Sequence, residues 1–116
     1  MNPFQPLYDE CNIGDAETKY TDLPKFPRMI DMELTSSCNF RCLMCPTGNL
    51  SLKRKAEFMD FPVIYRILTQ AWKHGTAIRF IGWGEPTLNP HLFDALELAN
   101  RYDLLTHLNT NGSNRS

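Results

Sequence analysis

The chain has 116 residues, 42% of them hydrophobic, with 12 basic and 13 acidic side chains for a formal net charge of −1. That length suits one core burying roughly two-thirds of the unfolded surface, and the balance of charge does not mark the chain as a generic nucleic-acid or membrane-surface binder. No basic segment followed by an apolar run opens the chain, and no window nears the ~20 apolar residues of a membrane span, so a cytoplasmic protein is expected, where its cysteines serve metal or redox chemistry more readily than disulfides.

Residues 1–27 hold Pro3, Pro6, Pro24 and Pro27 and read as an irregular lead-in. From Arg28 the texture changes. In "RMIDMEL" Ile30, Met32 and Leu34 alternate with Met29, Asp31 and Glu33, the period of a strand. The loop "SSCNFRCLMCPTG" follows directly, from Ser36 to Gly48.

"MDFPVIYRILTQAWKHG" predicts a helix, with Asp60 as cap, Pro62 in the first turn and Gly75 at the end. Its stripe of Phe61, Ile64, Tyr65, Leu68, Ala71 and Trp72 is expected to be core. "AIRFIG" reads as a second strand and "EPTLNP" as a turn-rich loop. In "NPHLFDALELANRY" Asn89 is the expected cap, Pro90 the first helical residue, and Leu92, Leu96 and Ala99 the apolar stripe. "LLTHLN" reads as a third strand and "TNGSNRS" as the turn that launches a further helix. The basic run Lys53, Arg54 and Lys55 reads as a solvated loop.

Strand, helix, strand, helix, strand implies an α/β fold with a parallel sheet and right-handed crossovers. Parallel strands buried on both faces are almost continuously apolar, yet Asp31, Glu33, Arg79, His107 and Asn109 interrupt these. One sheet face therefore either lines a polar cavity or is left bare to solvent. Ligands bind at the C-terminal ends of such strands, and His107 is a candidate for facing that space.

Cys38, Cys42 and Cys45 fall within one short loop after the first strand, as CxxxCxxC. Thiolates suit zinc and iron–sulfur clusters. Three of them, with Cys11, His74 or His91 as a fourth ligand, would close a tetrahedral zinc site; Cys42 and Cys45 would also make a CxxC thiol pair. Alternatively, a four-iron cluster held by three thiolates keeps one iron free to bind a small molecule.

The sequence resembles the radical S-adenosylmethionine (SAM) enzymes. The resemblance rests on Cys38, Cys42 and Cys45, on "GWGEP" from Gly82 to Pro86 after the second strand, and on "NTNG" from Asn109 to Gly112 after the third. It implies that the three cysteines ligate a 4Fe-4S cluster whose fourth iron is chelated by the amino and carboxylate groups of SAM. It further implies that Gly82, Trp83, Gly84 and Glu85 engage the methionine amino group, that the Met44 backbone contacts adenine, and that Thr110 and Asn111 border the same cofactor. Trp83 stands where the family's GGEP segment has its first glycine, and Met44 at a position that is often aromatic.

The implied reaction is reductive cleavage of SAM to a 5′-deoxyadenosyl radical, which abstracts hydrogen from a substrate; a low-potential electron donor is implied as partner. No residue is assigned a catalytic role apart from the cofactors. Residues 28–116 then read as a truncated radical SAM core of three strands and two helices, the first half of a six-unit partial TIM-type barrel. Such a chain is expected to host a cluster but to turn SAM over poorly. "CPTG" and "GEPTLNP" resemble the branch that modifies peptides and often carries auxiliary cysteine-rich clusters downstream; maturation of a small molecule fits equally. The reading from another class is a non-catalytic, zinc-stabilised binding module.

Overall fold

The computed structural model describes residues 1–12 and 25–114, except the side chains of residues 10–12. Its elements in chain order are helix α1 (Gln5–Asn12), strand β1 (Met29–Met32), helix α2 (Phe61–His74), strand β2 (Ala77–Phe80), a short 3₁₀ turn at Pro86–Leu88, helix α3 (Leu92–Arg101) and strand β3 (Thr106–Leu108). The three strands form one parallel sheet in the order β1-β2-β3. This is the parallel α/β arrangement that the alternation of periods predicts.

α2 and α3 cover one face of the sheet. Their buried Ile64, Leu68 and Ala71, and Leu92, Ala95 and Ala99, meet Met32, Ile78 and Phe80 from the strands. α2 ends as its sequence dictates: Gly75 takes a left-handed φ of 62° and its N–H returns to carbonyls of the last turn. Tyr65 and Trp72, expected in the core, are about half exposed. They flank the stripe rather than lie on it, and Trp72 instead stacks on Tyr102 at 5.0 Å.

α3 begins later than Asn89 and Pro90 suggest, with His91 at its N-cap and Leu92 as its first residue. The Asn89 side chain is engaged elsewhere: its amide donates to the carbonyls of Leu34 at 2.7 Å and Met59 at 3.0 Å, and its oxygen accepts the His91 N–H at 2.8 Å. The turn after β3 is present through residue 114, and the further helix expected beyond it lies outside the described residues.

The lead-in is not wholly irregular, because α1 occupies Gln5–Asn12. Pro6 sits in its first turn, where a missing N–H costs nothing. Phe4 is buried and meets the His107 ring edge-on at 5.8 Å. Tyr8 accepts a hydrogen bond from Arg79 Nη1 at 3.2 Å. The register places Asp31, Arg79 and His107 side by side across the sheet, and Arg79 donates to both carboxylate oxygens of Asp31 at 2.7 and 2.8 Å. The polar face is thus neither bare nor an open cavity along its whole length, since Phe4 and Tyr8 cover part of it. Tyr8→Phe is expected to cost roughly 0.5–1.5 kcal/mol, measured by urea denaturation, because the ring and its contact with Arg79 survive.

Candidate cofactor site at the strand ends

The three motifs meet at the C-terminal end of the sheet because each lies in the loop after a parallel strand. The cysteine loop is closed at its base: Thr35 bridges Phe58, the Ser36 N–H donates to the Glu57 carbonyl at 3.1 Å, and the Met59 N–H donates to Leu34 at 2.8 Å. Within it, the Cys45 N–H donates to the Cys42 carbonyl at 3.2 Å and the Asn49 N–H to the Cys45 carbonyl at 2.8 Å. Gly48 lies against Cys42; a Cβ there would stand 2.5 Å from the Cys42 backbone nitrogen and oxygen. Only glycine lets the loop fold back so closely on its second cysteine.

All three thiols are free, Cys38 and Cys45 half-buried and Cys42 exposed. The Cys38 sulfur accepts the Phe40 N–H at 3.4 Å, and the Asn111 amide stands 4.0 Å from it. Three thiols in one short loop, with N–H groups directed at the first sulfur, make a soft donor set that fits a thiolate-held cluster. Among the described residues, no three His, Cys, Asp or Glu side chains converge as the ligands of a single metal ion. His74 stacks on Phe26 at 4.1 Å, and His91 lies against Phe61 at 6.0 Å, 4.0 Å from Asp94. The Cys11 side chain lies outside the described residues.

The "GWGEP" loop docks onto the residues leading into Cys38. The Glu85 N–H donates to the Ser37 carbonyl at 2.8 Å, and Gly84 packs so closely that a Cβ would overlap the Thr35 carbonyl oxygen. The Glu85 carboxylate is buried, 3% exposed, and turned to the third loop. Its Oε1 accepts from the hydroxyls of Thr87 and Thr110, and its Oε2 accepts the Asn111 N–H at 2.8 Å. Burial alone would push this carboxyl up, but the hydrogen bonds from Thr110, Asn111 and Thr87 outweigh it and hold the group below the usual carboxylate range. The third loop in turn reaches the first, where Asn111 Nδ2 donates to Asn39 Oδ1 at 3.0 Å and Asn39 Nδ2 to Ser113 Oγ at 2.8 Å.

A cavity of about 470 Å³ opens between the second and third loops, lined by Gly82, Gly84, Glu85, Leu108, Asn109, Thr110 and Asn111. Of the cofactor residues named from sequence, Gly82, Gly84, Glu85, Thr110 and Asn111 border it. Trp83, also named from sequence, is half exposed and outside this lining; its backbone N–H donates to Glu33 at 2.7 Å. Met44 is 91% exposed at the tip of the cysteine loop and away from this cavity's lining. His107, on the sheet face, bonds Asn109 at 2.7 Å under Phe4. Sequence reasoning missed Asn39 and Gly48, placed Glu33 only on the polar sheet face, and read Arg54 as part of a solvated run and Asn89 as a helix cap, whereas Arg54 binds Glu33 and the Asn89 amide binds Leu34. Glu33 had one legible signal, a charge at the end of a strand that leads into the cysteine loop.

Comparisons with known proteins agree with this arrangement. Residues 32–115 match the model of the Radical SAM superfamily. The chain is 33% identical over 90 residues to PqqA peptide cyclase of Gluconobacter oxydans, covering 78% of this chain and 25% of that protein. It is 40% identical over 65 residues to the ribosomal RNA large subunit methyltransferase Cfr of Lachnoclostridium phytofermentans, covering 54% of this chain and 18% of that one. The chain thus spans a quarter or less of the length of these curated relatives. The crystal structure of BtrN in complex with AdoMet and 2-DOIA superposes on 81% of the chain and 39% of BtrN, with a TM-score of 0.70 and 26% identity. The β/α units are therefore those of a partial TIM-type barrel, and the chain belongs to the radical SAM superfamily, whose members use a 4Fe-4S cluster and SAM.

Proposed function

We propose that this chain carries the cluster site and one wall of the SAM site of a radical SAM enzyme. The observation that supports this most directly is the joining of the three strand-end loops, in which buried Glu85 binds Thr110 and Asn111 while its own N–H holds Ser37, next to Cys38. When bound, the cluster and SAM supply reductive cleavage of the sulfonium and abstraction of hydrogen from a substrate.

The chain's own residues hold and orient. Cys38, Cys42 and Cys45 would hold the cluster through three thiolates, one ligand short of its four irons. Gly82 and Gly84 bring the second loop's backbone to the cavity, since a Cβ at either would strike Glu33 or the Thr35 carbonyl. Glu85 fixes the loops first, and the acceptor position left on Oε2 is the one an ammonium would use. Thr110 and Asn111 border the same space, and the Met44 backbone would supply the adenine contact that the family resemblance implies.

The substrate class is a peptide, supported by "CPTG", "GEPTLNP" and the likeness to PqqA peptide cyclase. Reduction requires a low-potential one-electron donor as partner. An assembly of reduced thiolates belongs in the cytoplasm, and no described helix is long and apolar enough to cross a membrane. Nothing in the charge balance calls for a nucleic acid.

Anaerobic reconstitution with iron and sulfide tests the reading, by absorption and electron paramagnetic resonance with and without SAM. A cluster signal that SAM alters is expected. Serine at position 38, 42 or 45 should abolish it, and Cys11→Ser should leave it intact. Stoichiometric zinc with no response to SAM would instead establish the zinc-stabilised binding module.

A further inference from the structure

Glu33 and Arg54 belong to none of the three motifs, yet they meet under the "GWGEP" turn. Glu33 lies just past β1, and Arg54 returns to it from the far arm of the cysteine loop. Arg54 donates from both ends of its fork, Nη1 to Oε2 at 2.5 Å and Nη2 to Oε1 at 2.8 Å, while Oε1 also accepts the Trp83 backbone N–H at 2.7 Å. A Cβ on Gly82 would collide with the Glu33 stem and stand 2.7 Å from Oε1, so glycine is needed there because Glu33 fills the space.

A trans peptide points its carbonyl opposite to its N–H, and no described peptide is cis. With the Trp83 N–H turned onto Glu33, the Gly82 carbonyl faces away from that carboxylate. We infer that Glu33 and Arg54 are a positioning pair: they hold the Gly82–Trp83 peptide so that its carbonyl oxygen is presented as an acceptor to the ammonium group of SAM. The bidentate fork is what makes the hold directional, because it fixes the plane of the carboxylate as well as its charge. Arg54, then Trp83 and Gly84, keep the Glu33 carboxyl ionised below its usual range against the opposing effect of burial.

The inference rests on the proposed function, and two measurements separate them. The first is SAM affinity of the reconstituted chain, read from the SAM-dependent change in the cluster's paramagnetic signal. Glu33→Ala is expected to weaken SAM binding by about 10-fold, with iron content and the SAM-free signal unchanged. Glu33→Gln, which keeps an oxygen for the Trp83 N–H, should recover most of that loss. The second is hydrogen exchange at the Trp83 amide in the metal-free chain, which should be protected in the wild type and fast in Glu33→Ala. Should Glu33→Ala fail to fold, Arg54→Lys carries the test, since it keeps the charge and loses the fork; it too should weaken SAM binding. Unchanged affinity in these variants with intact clusters overturns the inference and leaves the proposed function standing. A wild-type cluster with no response to SAM overturns both, and the Trp83 exchange then tells whether Glu33 holds the turn at all.

Discussion

Gly84→Ala is expected to destabilise the chain by about 2–4 kcal/mol, lowering the thermal midpoint by roughly 10–20 °C. The added methyl would overlap the Thr35 carbonyl oxygen and stand 2.8 Å from the Ser37 carbonyl. Both obstacles are backbone, so neither can move aside as a flexible side chain would. The second loop must lift, and the Glu85 N–H then loses Ser37. Gly112→Ala is the control. Gly112 has a left-handed φ of 69° with open space around it, so alanine there should cost only ~1–2 kcal/mol from the backbone conformation. Circular dichroism melts compare the two, and a Gly84→Ala chain that melts no lower than Gly112→Ala would show that the loops are not docked through this glycine.

Glu85→Ala should cost about 2–4 kcal/mol, because it orphans the Asn111 N–H and removes the shared acceptor of the Thr87 and Thr110 hydroxyls. Glu85→Gln should cost less, about 1–2 kcal/mol. Its oxygen can serve Asn111, and the two hydroxyls can rotate to accept from its amide, a freedom the Asn111 N–H lacks.

The same carboxylate sets an acid limb. Its folded value lies below the ordinary carboxyl value of 4.5, so between the two the unfolded chain binds the proton more readily than the folded one. The stability it contributes is complete above that ordinary value and is lost as pH falls through the folded value. Denaturation between pH 7 and pH 3 (roughly the carboxylate range) should therefore show wild-type stability falling more steeply at acid pH than that of Glu85→Gln. Equal slopes would remove Glu85 from the acid response. Glu33 is shifted in the same direction by Arg54, so the double variant carrying glutamine at both positions should be flatter still.

Those effects indicate which features were readable in the sequence. The strand of Ile30, Met32 and Leu34, the helix ending at Gly75 and the order of the three motifs follow from local rules, since periodicity and turn chemistry act within a few residues. Glu85 stood out because its motif did, although its bonds to Thr110 and Asn111 came only with the fold. Asn89 shows how a local rule is overridden: its sequence context reads as a helix cap, but two carbonyls from the cysteine-loop stem claim its amide. Glu33 with Arg54 and Phe4 with His107 pair across 21 and 103 positions of sequence, and no periodicity announces such a partnership. The lead-in was misread for a related reason, as a short proline-containing helix declares itself only through the surface it covers.

The order of the strands in the sheet is their order in the chain, which has a consequence for synthesis. Each β/α unit, as it leaves the ribosome, adds to an edge already made, so the sheet can be assembled vectorially with no strand inserted between two others. The cysteine loop emerges before both loops that brace it. Phe4 is translated 103 residues before the His107 it rests on, so docking of the helix that follows it reports that the third strand has arrived.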